Sequence, residues 1–206
     1  MTSITATGTS GAPSLKGPSP RGSRLFGGFW QGLPKQDRRE RITIGSEKAV
    51  ELDYGQVGPR IVYGLAGLQP PPGDLYGLDF YLDQRAGIKK VMNAMLFAKA
   101  RLARFPRGTR RMFRNGDRID EVVEAIEAFH APIRHLFHQG IGHEVQFIES
   151  QIMVQVLLTL KKAGVVALPV HDAVMVPETK ASVAKEVMLS AFEAQANVPG
   201  VVTLED

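Results

Sequence analysis

Apolar and polar positions alternate in short runs near both ends of the chain and recur at helical spacing between them. Arg41-Ile42-Thr43-Ile44 reads as a short strand, Gly45-Ser46-Glu47 as a turn, and Ala49-Val50-Glu51-Leu52-Asp53 as the returning strand of a hairpin. Val57, Ile61, Val62 and Leu65 give residues 56–65 a helical stripe, which Gly67 and Pro70-Pro71-Pro72 end. Residues 84–105 carry Ile88, Val91, Met92, Met95, Leu96 and Ala98 on one side. Residues 119–138 repeat that pattern, with Asp117 as the expected N-cap and Pro132 expected to kink or divide the helix. The most apolar helix is expected over 147–163, buried on most sides, with Gly164 closing it. Val165 to Val170 and Ala173 to Val176 read as strands, with His171-Asp172 at their turn. Thr179 is placed to cap a last helix with Val183, Val187, Ala191 and Phe192 inward, and Lys35 to Arg41 reads as a charged surface turn. Strands, helices, strands and a helix in that order predict an α+β fold with an antiparallel sheet packed against helices.

Composition adjusts this picture at the N-terminus. Residues 1–24 are rich in Gly, Ser, Thr and Pro and hold no acid, which predicts a disordered tail before a compact domain over 25–206. The 206 residues contain no cysteine, which excludes disulfides and thiolate metal sites. No apolar run reaches membrane-spanning length and no secretory-type apolar core opens the chain, so a cytoplasmic protein without a membrane partner is expected.

Charge narrows it further. The net charge is +4, and residues 99–118 concentrate Lys99, Arg101, Arg104, Arg107, Arg110, Arg111, Arg114 and Arg118 against the single acid Asp117. Guanidinium groups match phosphate oxygens in a bidentate way, so this block reads either as a phosphate-contacting segment or as an ordinary solvated loop.

Two acids stand out by position. Asp53 ends an apolar strand, and Asp172 sits at the tip of a hairpin with apolar arms. If the strands are neighbours the carboxylates converge, and divalent cations relieve the repulsion between them. Taken alone, either acid is better read as a turn cap or as an arginine partner.

The run Leu52-Asp53-Tyr54-Gly55-Gln56-Val57-Gly58-Pro59-Arg60 resembles motif A of family A DNA polymerases at Asp53, Tyr54, Gln56 and Arg60. Val170-His171-Asp172-Ala173 resembles their motif C, and residues 146–160 resemble the helix before it. Arg85, Lys89, Lys90 and Asn93 resemble motif B: Lys89 keeps the family spacing to Arg85, while Lys90 keeps the spacing to Asn93. The resemblance implies a palm-type sheet, with reduced fingers over about residues 84–140, and template-directed nucleotidyl transfer. It makes Asp53 and Asp172 ligands of two magnesium ions, with manganese as a substitute. His171 would position a primer end, and Tyr54, Gln56, Gly58, Arg60, Lys89 or Lys90, and Asn93 would meet the nucleoside triphosphate. Arg101, Arg104, Arg107, Arg110, Arg111, Gln146 and Gln151 are the residues expected to meet a DNA primer–template.

The sequence departs from the family at named places. Gly58 stands where the family has a glutamate that blocks a ribose 2′-hydroxyl, so ribonucleotides are expected to fit. Ala173 replaces the motif C glutamate, and Ala94 replaces the motif B aromatic. The family's thumb has no counterpart, so a partner subunit would supply one. These departures keep a second reading open, an inactive nucleic-acid-binding remnant, and beside it a plain α+β interaction protein. His130, His138 and His143 match no tight metal-ligand spacing and read as surface or capping residues. Phe29 and Trp30 read as a core edge or as a base-stacking pair.

Overall fold

The computed structural model describes residues 4–6 and 27–205. The rest of the 1–24 stretch, and Leu25 and Phe26 after it, lie outside the described residues. The chain divides into two compact units, Met1–Val57 with Phe147–Asp206, and Gly58–Gln146.

The first unit is built on a sheet of strands β1 (Ile4–Ala6), β2 (Ile42–Ile44), β3 (Glu47–Tyr54), β4 (Leu168–Val170), β5 (Ala173–Pro177) and β6 (Val202–Glu205). The order is β1-β2-β3-β5-β4, with β6 also on β3. Apart from the parallel pair β1–β2, the strands run antiparallel, as expected for the α+β class. Gly45 and Ser46, with φ of 60° and 70°, make the two-residue turn between β2 and β3. Positive φ at both positions matches the twist of the flanking strands.

Side-chain alternation sorts the sheet into two faces. Ala49, Ala173, Met175, Leu168 and Val170 share one face and bury with Ile42 and Ile44 beneath Trp30 and Leu33. Trp30 therefore fills a core edge, and its indole N–H donates to the Pro169 carbonyl at 2.9 Å. Leu52, Val174 and Val176 are buried on the other face, toward helix α6 (Ala181–Ala196).

Three expectations change here. Lys35–Arg41 is a short helix, α1, with no buried residue. Its apolar pattern is absent because ion pairs to β3 and β6 hold it: Arg38 to Glu51, and Lys35 and Arg39 to Glu205. Thr179 does not cap α6; its hydroxyl donates to Glu47 Oε2 at 2.7 Å, and the helix turns Ala184 and Met188 inward while Val183 is exposed. Strand β6 was not expected, although Val201-Val202-Thr203-Leu204 has the β-branched content of a strand.

The second unit is helical. It contains most of α2 (Val57–Leu65), then α3 (Arg85–Phe97) and α4 (Ile119–Phe129), with 3-10 turns at Asp79–Gln84, Arg110–Met112 and Ala131–Leu136. Helix α3 stops at Phe97, short of the expected 105, where Ala98 turns extended and its carbonyl accepts from the Gly140 N–H at 2.9 Å. Arg118, not Asp117, occupies the N-cap of α4, and its N–H donates to Glu121. Asp117 instead accepts from the Arg114 N–H and the Gln84 side chain. Pro132 divides the region as expected, opening the 3-10 turn. Helix α5 (Gly142–Lys162) begins earlier than predicted, and Phe147 and Leu158, counted with its apolar side, are exposed. Among the described residues no helix is long and apolar enough to cross a membrane.

His130 closes α4 as its C-cap and is also fully buried. Its Nε2–H donates to the Leu75 carbonyl at 3.0 Å, which leaves Nδ1 to accept from the Tyr63 hydroxyl at 3.2 Å. That arrangement needs the neutral ring, and burial pushes its pKa down to about 4. A histidine whose folded pKa lies below its unfolded value stabilises fully above the unfolded value, and that stability is lost as pH falls toward the folded one. Between pH 7 and pH 4 the wild type is expected to lose about 3 kcal/mol more unfolding free energy than His130→Gln. Urea titrations across that range measure the difference.

Candidate active site

The pairing of β3 with β5 sets the position of the two predicted aspartates. Asp53 lies directly across from Ala173, the residue after Asp172, and the Tyr54 N–H donates to the Asp172 carbonyl at 3.3 Å. Asp53 and Asp172 thus meet at one end of the sheet, both half-buried. On its other side Asp53 pairs with Thr203 of β6, whose hydroxyl donates to the Asp53 main-chain carbonyl.

The local backbone is held in conformations that most side chains avoid. His171, the first of two loop residues in the β4–β5 hairpin, has φ 56°, and Gln56, just after β3, has φ 60°. Left-handed non-glycine residues cost about 1 kcal/mol or more each and cluster where structure serves a site. His171 is exposed at the hairpin tip, next to Asp172.

Tyr54 corrects one expectation. Its side chain is buried, its hydroxyl donates to the Met188 carbonyl at 2.6 Å, and its ring lies 5.4 Å from that of Phe192. Burial pushes the phenol pKa well up. The side chain is an anchor to α6 on the face opposite Asp53 and offers nothing to a triphosphate.

On the Asp53 face the next residue back is Glu51, buried and ion-paired to Arg38 of α1. Arg38 reaches both Glu51 oxygens at 3.3 Å and donates to the Leu33 carbonyl at 2.9 Å. The segment from Phe29 to Arg41 therefore covers this face up to Glu51 and Glu205. Sequence reasoning missed both residues; the signal available was an acid two positions before Asp53, on the same strand face.

The remaining candidates fall in two groups. Gln151 belongs to the first unit and is half-buried. Gly58, Arg60, Lys89, Lys90, Asn93, Gln146 and the arginines belong to the second. Lys89, Lys90 and Asn93 are exposed on α3, opposite its buried side of Ile88, Val91, Met92, Met95 and Leu96. A Cβ added at Gly58 would meet Leu96 Cδ1 at 3.9 Å, an ordinary van der Waals contact. Arg60 is buried, and desolvation lowers the pKa of its guanidinium. Arg101 pairs with Glu127 at 3.0 Å, and Arg110 donates to the carbonyls of Arg114 and Asn115, so both are engaged within the unit.

The donor set suits magnesium. That ion keeps several waters and takes one or two protein carboxylates together with substrate phosphates. Among the described residues no group of three or more His, Cys, Asp or Glu side chains is placed to hold a metal ion.

No family model matches the sequence, and no curated protein matches it. Among solved structures the chain is similar to the POL domain of Pol1 from M. smegmatis in complex with DNA primer-template and dNTP, with a TM-score of 0.48 and 13% sequence identity. The similarity covers 84% of this chain and 43% of that one.

The buried Arg38–Glu51 pair yields a direct test. Glu51→Gln leaves a guanidinium buried without its carboxylate and is expected to cost about 3 kcal/mol in urea unfolding. Replacing both residues by Met is expected to recover most of that loss.

Proposed function

We propose that this chain performs template-directed nucleotidyl transfer of the family A polymerase type, with Asp53 and Asp172 as its metal-binding carboxylates. One observation carries the reading: the β3–β5 register sets the two aspartates of the motif-like words side by side at a sheet end. Divalent ions held there would activate a 3′-hydroxyl for in-line attack and neutralise the leaving pyrophosphate.

The protein's own residues have simpler tasks. Asp53 and Asp172 would hold the ions, at the end of the paired strands β3 and β5. His171, at the exposed tip, hydrogen-bonds the primer end. Gly58, at the family's glutamate position, is assigned to the 2′-hydroxyl by the motif resemblance alone. Lys89 or Lys90, and Asn93, are assigned to the triphosphate by the motif resemblance alone. Catalysis is then positioning and charge stabilisation, with little proton transfer by side chains.

Primer extension on a DNA template, with magnesium or manganese and either deoxy- or ribonucleotides, tests the proposal. Extension by the wild type and its loss in Asp172→Asn is expected, with ribonucleotides accepted alongside deoxynucleotides. Absence of extension under all conditions, with primer–template binding retained, favours the inactive remnant, for which Ala173 and Ala94 at the family's glutamate and aromatic positions argue.

A further inference from the structure

Residues 98–118 connect α3 to α4 with only one short 3-10 turn between them. Unstructured connections of that length are uncommon inside compact units and are usually functional or disordered. This one is anchored. Phe113 is buried against α3 at Gly87, where an added Cβ would come within 2.7 Å of its ring. Phe105 packs on Phe113 with ring centroids 4.9 Å apart, and the Arg110 guanidinium lies 5.1 Å above Phe105. Arg110 also donates to the carbonyls of Phe113, Arg114 and Asn115 at 3.4, 2.8 and 2.6 Å, closing the loop on itself. The buried Thr109 hydroxyl donates to the Pro106 carbonyl.

The same contacts sort the basic block. Arg101 is neutralised by Glu127, Arg114 by Asp83 and Arg118 by Asp120, acids that lie outside the block. Arg110 serves as the clasp. Arg104, Arg107 and Arg111 are exposed, and no acidic partner faces them among the described residues. Their guanidinium forks suit phosphate oxygens and release counterions on binding.

We propose that this loop is a preorganised contact for the phosphodiester backbone of nucleic acid, made by Arg104, Arg107 and Arg111 and held in shape by Arg110. The inference rests on the nucleotidyl-transfer reading for its ligand class, but not on turnover. Arg110 is a positioning residue: it touches the loop's own carbonyls, and the three free arginines touch the ligand.

Fluorescence anisotropy with a labelled primer–template, the full chain and no nucleotide, repeated between 50 and 200 mM salt, tests it. These salt limits span a range over which phosphate contacts change affinity by orders of magnitude, roughly as the log of salt. The triple variant Arg104→Ala/Arg107→Ala/Arg111→Ala is expected to flatten the log–log slope by about 2.7, at about 0.9 per contact. Arg118→Ala removes a charge already paired with Asp120 and is expected to leave the slope unchanged. An unchanged slope in the triple variant overturns the proposal, as does an equal loss in Arg118→Ala, which would mark a general charge effect. Calorimetric binding of inorganic tripolyphosphate that the triple variant loses, with the DNA slope intact, would assign the loop to a nucleotide's phosphates and also overturn it. Measuring extension by the wild type beside the slopes keeps the two readings apart: a slope flattened in the triple variant with no wild-type extension fails catalysis alone, and wild-type extension with an unaltered slope in the triple variant fails the loop alone.

Discussion

Five residue pairs of antiparallel ladder join β3 to β5, from Ala49–Pro177 to Asp53–Ala173, and the placing of Asp53 beside Asp172 follows from their register. A slip of one residue would turn every side chain of β3 to the opposite face. Asp53 would then point toward α6, and the apolar residues that bury against that helix would face Trp30 and α1. The register is held from both sides. Tyr54 reaches Met188 and Phe192 on one face, while Glu51 is locked to Arg38 on the other. Asp53 lies between these two anchors, so its place on the strand is set from both faces.

His171 and Gln56, close to the two aspartates in the chain, hold left-handed φ values that cost non-glycine residues energy. Such arrangements persist where surrounding packing over-determines them, and here the buried strands Leu168–Val170 and Ala173–Pro177 provide that packing. The second unit shows the same economy in another form. Its 98–118 loop is irregular, yet Phe113, Arg110 and Thr109 fix it through side chains in place of a backbone ladder.

The sequence was most legible where apolar period decides structure. The β2–β3 hairpin and α2 were readable from their apolar period, the β4–β5 hairpin from two short apolar runs about a polar turn, and the division at Pro132 from the proline itself. The class of fold followed from their order. The α1 helix was not readable, because Lys35-Gln36-Asp37-Arg38-Arg39-Glu40-Arg41 has no apolar stripe and is held by partners far along the chain. The end of α3 was missed for a related reason: Ala98 has good helix propensity, and a tertiary hydrogen bond from Gly140 draws it out of the helix. At the site, the placing of Asp53 beside Asp172 was legible from strand ends and motif words. The burial of Tyr54 was not, since its partner Met188 lies on the first turns of a helix where the inward stripe was read at Val183 and Val187 in place of Ala184 and Met188, although Ala191 and Phe192 are buried as expected.

The central claim is that Asp53 and Asp172 act as one metal-binding unit. Manganese binding followed by electron paramagnetic resonance, on the wild type, Asp53→Ala, Asp172→Ala and the double variant, tests it most directly. If the aspartates share ions, either single substitution removes the bound signal and the double variant loses no more than each single one does. Manganese binding that survives in both single variants would contradict the claim.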